Sequence, residues 1–222
     1  MSSNVNKSDR LPDAGLLAAL PPLLSGLARR GVIRQYRADT TLIEEGDNDD
    51  TIFVVLSGSV RIFCSDGSGK EITLAVYGPG EYVGEMSLDG GLRSASVTTE
   101  TITVCSIVSN MTLRAYIAEH PQFALDLIRR LIRRTRLATA SARSLALFDS
   151  YGRIKQLFDN LAEARADGKR LVSERLTHMA IAQRIGCTRE LVSRLLKELE
   201  TGGFILTENR HYVLLQELPV KW

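Results

Sequence analysis

Arg189, Glu190, Ser193, Arg194 and Lys197 sit within "GCTRELVSRLLKELE", residues 186–200, at steps of one, four, five and eight. On a helix those steps gather all five on one face, and Val192, Leu195, Leu196 and Leu199 form the opposite, apolar one. The chemistry suits base edges: an arginine fork matches guanine O6 and N7, and a carboxylate accepts from cytosine N4. A face that only attracted phosphates would carry no carboxylate, so Glu190 argues for reading bases. Ser193 and Lys197 suit contacts to the DNA backbone. Thr188, with the unpaired amides at the helix start, can hold a phosphate. The plainer alternative is a surface helix with a Glu190–Arg194 ion pair one turn apart.

A second stretch, "GPGEYVGEMSLDGGLRSASV" (residues 78–97), suits a phosphate joined to a sugar. Successive amides after a glycine-rich turn make an anion nest. Arg93 adds a charge-assisted fork for phosphate oxygens, and Ser94 adds a hydroxyl donor. Glu85, next to Gly84, is acceptor-only when ionised, which fits a ribose hydroxyl and would repel a second phosphate.

The elements that must position these groups follow from pattern. Residues 1–14 read as a flexible polar tail, and "LLAALPPLLSGLARRG" suggests one or two short helices interrupted by Pro21 and Pro22. From about 32 to 108, short β-type runs alternate with glycine turns, as expected of an antiparallel barrel or jelly roll. Asn110 or Met111-Thr112 can start a short helix, and a long one is expected over 121–148. Within it Ile128, Leu131, Thr135, Ala138, Ala142 and Leu145 recur at alternating steps of three and four, a heptad seam. Such a seam packs either on the chain's own barrel or, as the many arginines around it favour, on its own copy across a twofold. That arginine run reads as a solvated face.

A hinge is expected near 147–152, then a helix that "ADGK" ends, two short helices and a hairpin in "GFILTENRHYVLL". "RLTHMAIAQRIGCTRELVSRLLKELE" carries the signals of a helix-turn-helix: Thr177 and Thr188 as caps, Gly186 for a positive φ and Ala182 for close crossing. With the hairpin it becomes a winged helix-turn-helix, whose second helix enters the major groove. The fold class is therefore α+β, with 15–120 a β-roll domain, 121–148 a dimerisation helix and 149–222 a DNA-binding domain.

The chain of 222 residues carries 28 basic and 26 acidic groups, so any basic surface is local. Its three cysteines and three histidines are scattered without metal-ligand spacing, which suggests structural thiols in a reducing compartment and no metal. No nucleophile–base pair suggests an enzyme. No apolar run reaches membrane-spanning length and no signal peptide precedes the fold, so a cytoplasmic location with no membrane partner is expected.

"IGCTRELVSRLLKELE" and "LALFDSYGRI" resemble the recognition helix and hinge of the CRP/FNR superfamily of bacterial transcription regulators, and the likeness covers nearly everything after residue 20. The resemblance implies a homodimer that binds double-stranded DNA at a palindromic operator with TGTGA-type half-sites. Arg189, Glu190 and Arg194 would read the bases. It also identifies residues 78–97 with the phosphate-binding cassette of cyclic-nucleotide-binding domains. Gly84 and Glu85 would then meet the ribose 2′-hydroxyl, and Arg93 and Ser94 the cyclic phosphate, with cAMP or a related nucleotide as effector. Two positions depart from the family. The Glu85-to-Arg93 interval is shorter than usual, so the intervening helix must be trimmed. The adjacent Thr and Ser that would contact adenine are replaced by Ala138 and Thr139, of which Thr139 keeps a hydroxyl. Iron–sulfur sensing is not expected, because the first 63 residues contain no cysteine. RNA polymerase is an implied partner, with "EARADGKR" as the expected contact loop. Alternatives left open are the same fold acting without ligand or with another effector, and a cyclic-nucleotide-gated regulatory subunit.

Overall fold

The structure, a computed structural model, describes residues 14–67 and 69–222, so the expected tail lies almost wholly outside the described residues. Helices α1 (Ala14–Ala18) and α2 (Pro22–Ala28) come first. Pro22 occupies the first turn of α2, where its missing N–H costs nothing, so the proline pair separates two helices by starting the second.

Eight strands follow: β1 (Val32–Tyr36), β2 (Thr41–Ile43), β3 (Ile52–Ser57), β4 (Val60–Ser65), β5 (Glu71–Tyr77), β6 (Tyr82–Val83), β7 (Ser96–Thr99) and β8 (Thr103–Val108). They form two four-stranded sheets, ordered β1-β8-β3-β6 and β2-β7-β4-β5, with antiparallel pairing between β1 and β8, β3 and β8, β2 and β7, and β4 and β7. Strand β3 explains why "IFVVL" is apolar throughout rather than alternating. Phe53 and Val55 join one core with Ile43, Val60, Val83, Val97 and Cys105, while Ile52, Val54 and Leu56 join a second core with Leu24, Leu27, Leu113 and Phe123 from the helices. A strand covered on both faces has no solvent side to keep polar. Helix α3 (Asn110–Glu119) begins after Ser109, whose hydroxyl accepts from the Thr112 amide.

Helix α4 (Pro121–Leu147) runs 27 residues, about 40 Å at 1.5 Å per residue. The chain divides into two compact units inside this helix, at Leu131 and Ile132; the second unit also takes in Ser65–Leu74. Phe123 and Leu127 belong to the first unit's core. Arg130 departs from the expected solvated arginine face. Its Nε donates to Asp126 at 2.8 Å, its Nη1 to Gly80 O at 3.0 Å, and its guanidinium lies 5.2 Å from the Tyr82 ring centre. The seam itself is open in the single chain: Ile128, Leu131 and Leu145 are 49%, 36% and 44% exposed, and Thr135, Ala138 and Ala142 are exposed too. Leu125 and Ile132, seven apart beside the seam, are also exposed and widen its apolar stripe.

In the second unit α5 (Ser150–Leu161) starts behind Asp149, whose carboxylate caps the Gly152 amide at 2.7 Å. Only Phe148 and Asp149 separate α4 from α5. The helix ends at Leu161, short of "ADGK", because β9 (Ala162–Ala164) and β10 (Arg170–Val172) form a hairpin there. The expected polymerase loop, residues 163–170, thus takes in the end of β9, the turn of this hairpin and the first residue of β10. Helices α6 (His178–Ile185) and α7 (Arg189–Thr201) precede the wing, β11 (Ile205–Glu208) and β12 (His211–Leu214). The wing is two strands of a four-stranded sheet, β11-β12-β10-β9. Asn209 and Arg210 both take positive φ, 52° and 67°, the geometry of a tight two-residue hairpin turn. A separate core, including Ile154, Phe158, Ile181, Val192, Leu196, Leu199 and Ile205, holds this unit together.

Candidate functional site

In the first unit the cassette forms around Arg93. Gly84 has a φ of +91°, a region that L side chains rarely adopt, and a Cβ there would lie 2.6 Å from Thr51 O and 2.8 Å from Arg93 Nη1. Glycine is therefore demanded twice, by the turn and by the arginine pressed against it. After Gly84 comes a short 3-10 helix, Glu85–Asp89, the trimmed helix expected from the short interval. It buries Glu85 to 6% exposure and ends at Gly90, also left-handed at φ 83°.

The Arg93 backbone is fixed on both sides by residues after β2: its N–H donates to Asp47 O at 2.9 Å, and its carbonyl accepts from the Gly46 amide at 2.8 Å. Its side chain is only 3% exposed. Nη1 donates to Gly84 O at 3.0 Å, and Nη2 to Thr51 O at 2.6 Å and Thr51 Oγ1 at 3.4 Å. Nη2 also lies 3.3 Å from Asp49 Oδ2. Nε is buried without a hydrogen-bond partner. A buried guanidinium needs such partners because desolvating the charge is costly. Ser94 is exposed and its hydroxyl donates to Met86 Sδ at 3.3 Å.

The structure thus gathers Gly84, Glu85, Arg93 and Ser94 in one locality, together with two residues the sequence did not single out, Asp49 and Thr51. Burial pushes the Asp49 carboxyl up, but hydrogen bonds from Thr51 and the Arg93 charge outweigh it and hold it below the usual carboxylate range. Thr139 lies on α4 in the second unit, exposed, with its hydroxyl donating to Thr135 O at 2.9 Å.

In the second unit, capping fixes the starts of α6 and α7. Thr177 accepts from the Ala180 amide at 3.1 Å and Thr188 from the Leu191 amide at 3.3 Å, and Gly186 turns the chain between α6 and α7 at φ 66°. Val192, Leu195, Leu196 and Leu199 are buried, which forces Arg189, Glu190, Arg194 and Lys197 outward. Ser193 differs from expectation. Its hydroxyl donates to Arg189 O at 2.9 Å and lies 2.7 Å from His178 Nδ1, so no donor is left for a phosphate oxygen. It braces α7 against α6 instead, with His178 as a partner that only the fold brings near. Among the described residues no group of three or more His, Cys, Asp or Glu side chains gathers as a metal site. No helix among them is long and apolar enough to cross a membrane.

Comparison with known proteins bears on both places. The model of the cyclic nucleotide-binding domain matches residues 33–120, and that of the Crp-like helix-turn-helix domain matches 152–218. The cAMP-activated global transcriptional regulator CRP of Haemophilus influenzae is 32% identical over 200 residues, covering 87% of this chain and 88% of that protein. A CRP-like cAMP-activated global transcriptional regulator of Mycobacterium tuberculosis is 29% identical over 209 residues, covering 92% and 93%. Among solved structures, the c-di-GMP responsive global regulator CLP of Xanthomonas campestris superposes with a TM-score of 0.78 at 25% identity, covering 92% of this chain and all of that one.

Proposed function

Because the chain belongs to the CRP/FNR family of DNA-binding transcription regulators, we propose that it is a cytoplasmic homodimer whose affinity for a palindromic operator is set by a cyclic nucleotide, cAMP first among the candidates. The observation that carries the ligand reading is Arg93: a buried guanidinium, packed against Gly84, whose Nε has no partner. Phosphate oxygens at the Nε–Nη2 edge would complete its donors, with Ser94 adding a hydroxyl and Glu85 taking the ribose.

Exposed Arg189, Glu190 and Arg194 read base edges in the major groove, and Thr188 and Lys197 hold the backbone. Ile128, Leu131, Thr135, Ala138, Ala142 and Leu145 meet their copies across the twofold. A ligand held by Arg93 and Ser94 favours one arrangement of the paired helices and thereby sets the distance between the two reading helices. Two half-sites on one DNA face demand about 34 Å between them. The operator-bound dimer recruits RNA polymerase, with the turn between β9 and β10 as the contact.

A second reading keeps the regulator and changes the effector. The likeness to CLP and the alanine at position 138 favour it, with c-di-GMP as the alternative. The deciding experiment titrates a labelled palindrome of TGTGA-type half-sites with the purified protein at fixed salt, alone, with cAMP and with c-di-GMP. A large gain in specific affinity with cAMP is expected. A gain only with c-di-GMP selects the second reading, and specific binding indifferent to both removes control by either nucleotide.

A further inference from the structure

The phosphate-binding edge of Arg93 carries an anion belonging to the chain itself. The guanidinium's inner donors are spent on two carbonyls, Gly84 O at 3.0 Å and Thr51 O at 2.6 Å, which fixes its plane. The edge that a bidentate oxyanion would take is formed by Nε and the second N–H of Nη2, which has Thr51 Oγ1 at 3.4 Å. Nε on that edge has no hydrogen-bond partner, whereas Nη2 is faced at 3.3 Å by Asp49 Oδ2. Asp49 is not placed there loosely. Its Oδ1 accepts from the Thr51 amide at 3.1 Å and its Oδ2 from the Thr51 hydroxyl at 2.6 Å. Thr51 thus clamps the carboxylate with two donors and supplies the carbonyl that orients the arginine. The Asp49 side chain is 52% exposed against 3% for Arg93, so it stands on the solvent side of the pair.

We infer that Asp49 is the specificity-determining residue of the phosphate subsite: a built-in competitor that admits a singly charged phosphodiester and disfavours doubly charged phosphomonoesters. This rests on the reading of residues 78–97 as a nucleotide pocket. The physical reason is charge. A ligand phosphate that takes the buried Nε–Nη2 edge of Arg93 comes beside the Asp49 carboxylate, which Thr51 holds in place. The repulsion scales with the ligand's charge, about −1 for a cyclic phosphodiester and −1.5 to −2 for a monoester at neutral pH. Glu85, buried in the same cassette, adds to the same bias if it binds the ribose, but Asp49 is the carboxylate against the guanidinium itself. The subsite therefore weakens binding of every anion somewhat and of monoesters most.

The test is calorimetric titration of the full chain with cAMP and with 5′-AMP at pH 7.5, on the wild type, Asp49→Asn, Asp50→Asn and Arg93→Ala. Asparagine keeps the size and one of the two acceptors that Thr51 uses, and removes the charge. Each unit of ligand charge should gain about two- to fivefold, the range for a half-exposed pair. cAMP affinity then rises by about that factor in Asp49→Asn and 5′-AMP affinity by about its square, so preference for the cyclic nucleotide falls about two- to fivefold. Asp50→Asn, on the exposed neighbour, leaves the ratio unchanged. Binding by Asp49→Asn where the wild type shows none also supports the inference. An unchanged ratio in Asp49→Asn, with the wild type binding and Arg93→Ala not, overturns Asp49 and keeps the pocket. Binding by none of the proteins, or binding that Arg93→Ala leaves intact, removes pocket and inference together.

Discussion

Arg194 and Lys197 lie three residues apart on α7, both exposed, and the roles proposed for them on DNA differ. Arg194→Ala should cost about 1–3 kcal/mol on the operator and relax preference at one base pair, whereas Lys197→Ala should weaken all sequences alike and reduce the salt slope by about one. Binding titrations over a salt series, on operator and scrambled DNA, separate the two. Equal losses on both DNAs for Arg194→Ala would remove its base-reading role. Cys105 offers a prediction of another kind. Burial in the roll pushes its thiol up to about 12, so iodoacetamide at pH 8 should alkylate the part-exposed Cys64 and Cys187 and spare it. In the unfolded chain the thiol ionises near 8.5 while the folded protein keeps the proton. Its contribution to stability is thus complete below that pH and declines as pH rises towards 12. Denaturation midpoints for wild type and Cys105→Ala at pH 7 and pH 10 should narrow their gap accordingly. At this scale the exposed face of α7 was legible in the sequence because a helix period links neighbours in the chain. The partners of Arg93 were not, since Thr51 is 42 residues away, and the same holds for His178 and Ser193, 15 apart.

Helix α4 shows what periodicity reveals and what it leaves out. Its span and the open seam follow from steps of three and four, but Leu125 and Ile132 broaden the apolar stripe where no heptad rule asks for them. If the stripe meets its copy, Leu131→Asp should convert a dimer to monomers in sedimentation velocity without changing the circular dichroism of the chain. A monomeric wild type would refute the pairing. In the second unit the hairpin of β9 and β10 was hidden. "AEARADGKRL" is rich in Ala and Arg, good helix formers, yet three residues on each side pair in register and β10 then pairs with β12. Non-local pairing overrode local propensity there. The wing turn was legible as a turn, but its two positive φ angles at Asn209 and Arg210 were not, since arginine carries no such signal.

Across the molecule, two of the three cores lie wholly within the β-roll unit and the third wholly within the unit that holds α5 to β12. Units with closed cores melt as separate cooperative transitions, so scanning calorimetry should resolve two. A ligand that binds one folded unit raises the transition of that unit. cAMP should therefore shift the transition assigned to the roll, and operator DNA the other; a single transition moved equally by both would mean one cooperative block. The separation of cores also bears on ancestry. A substitution that reshapes the cassette around Arg93 leaves the packing beneath α7 untouched, so a lineage can exchange the signal it answers to while keeping the genes it answers for.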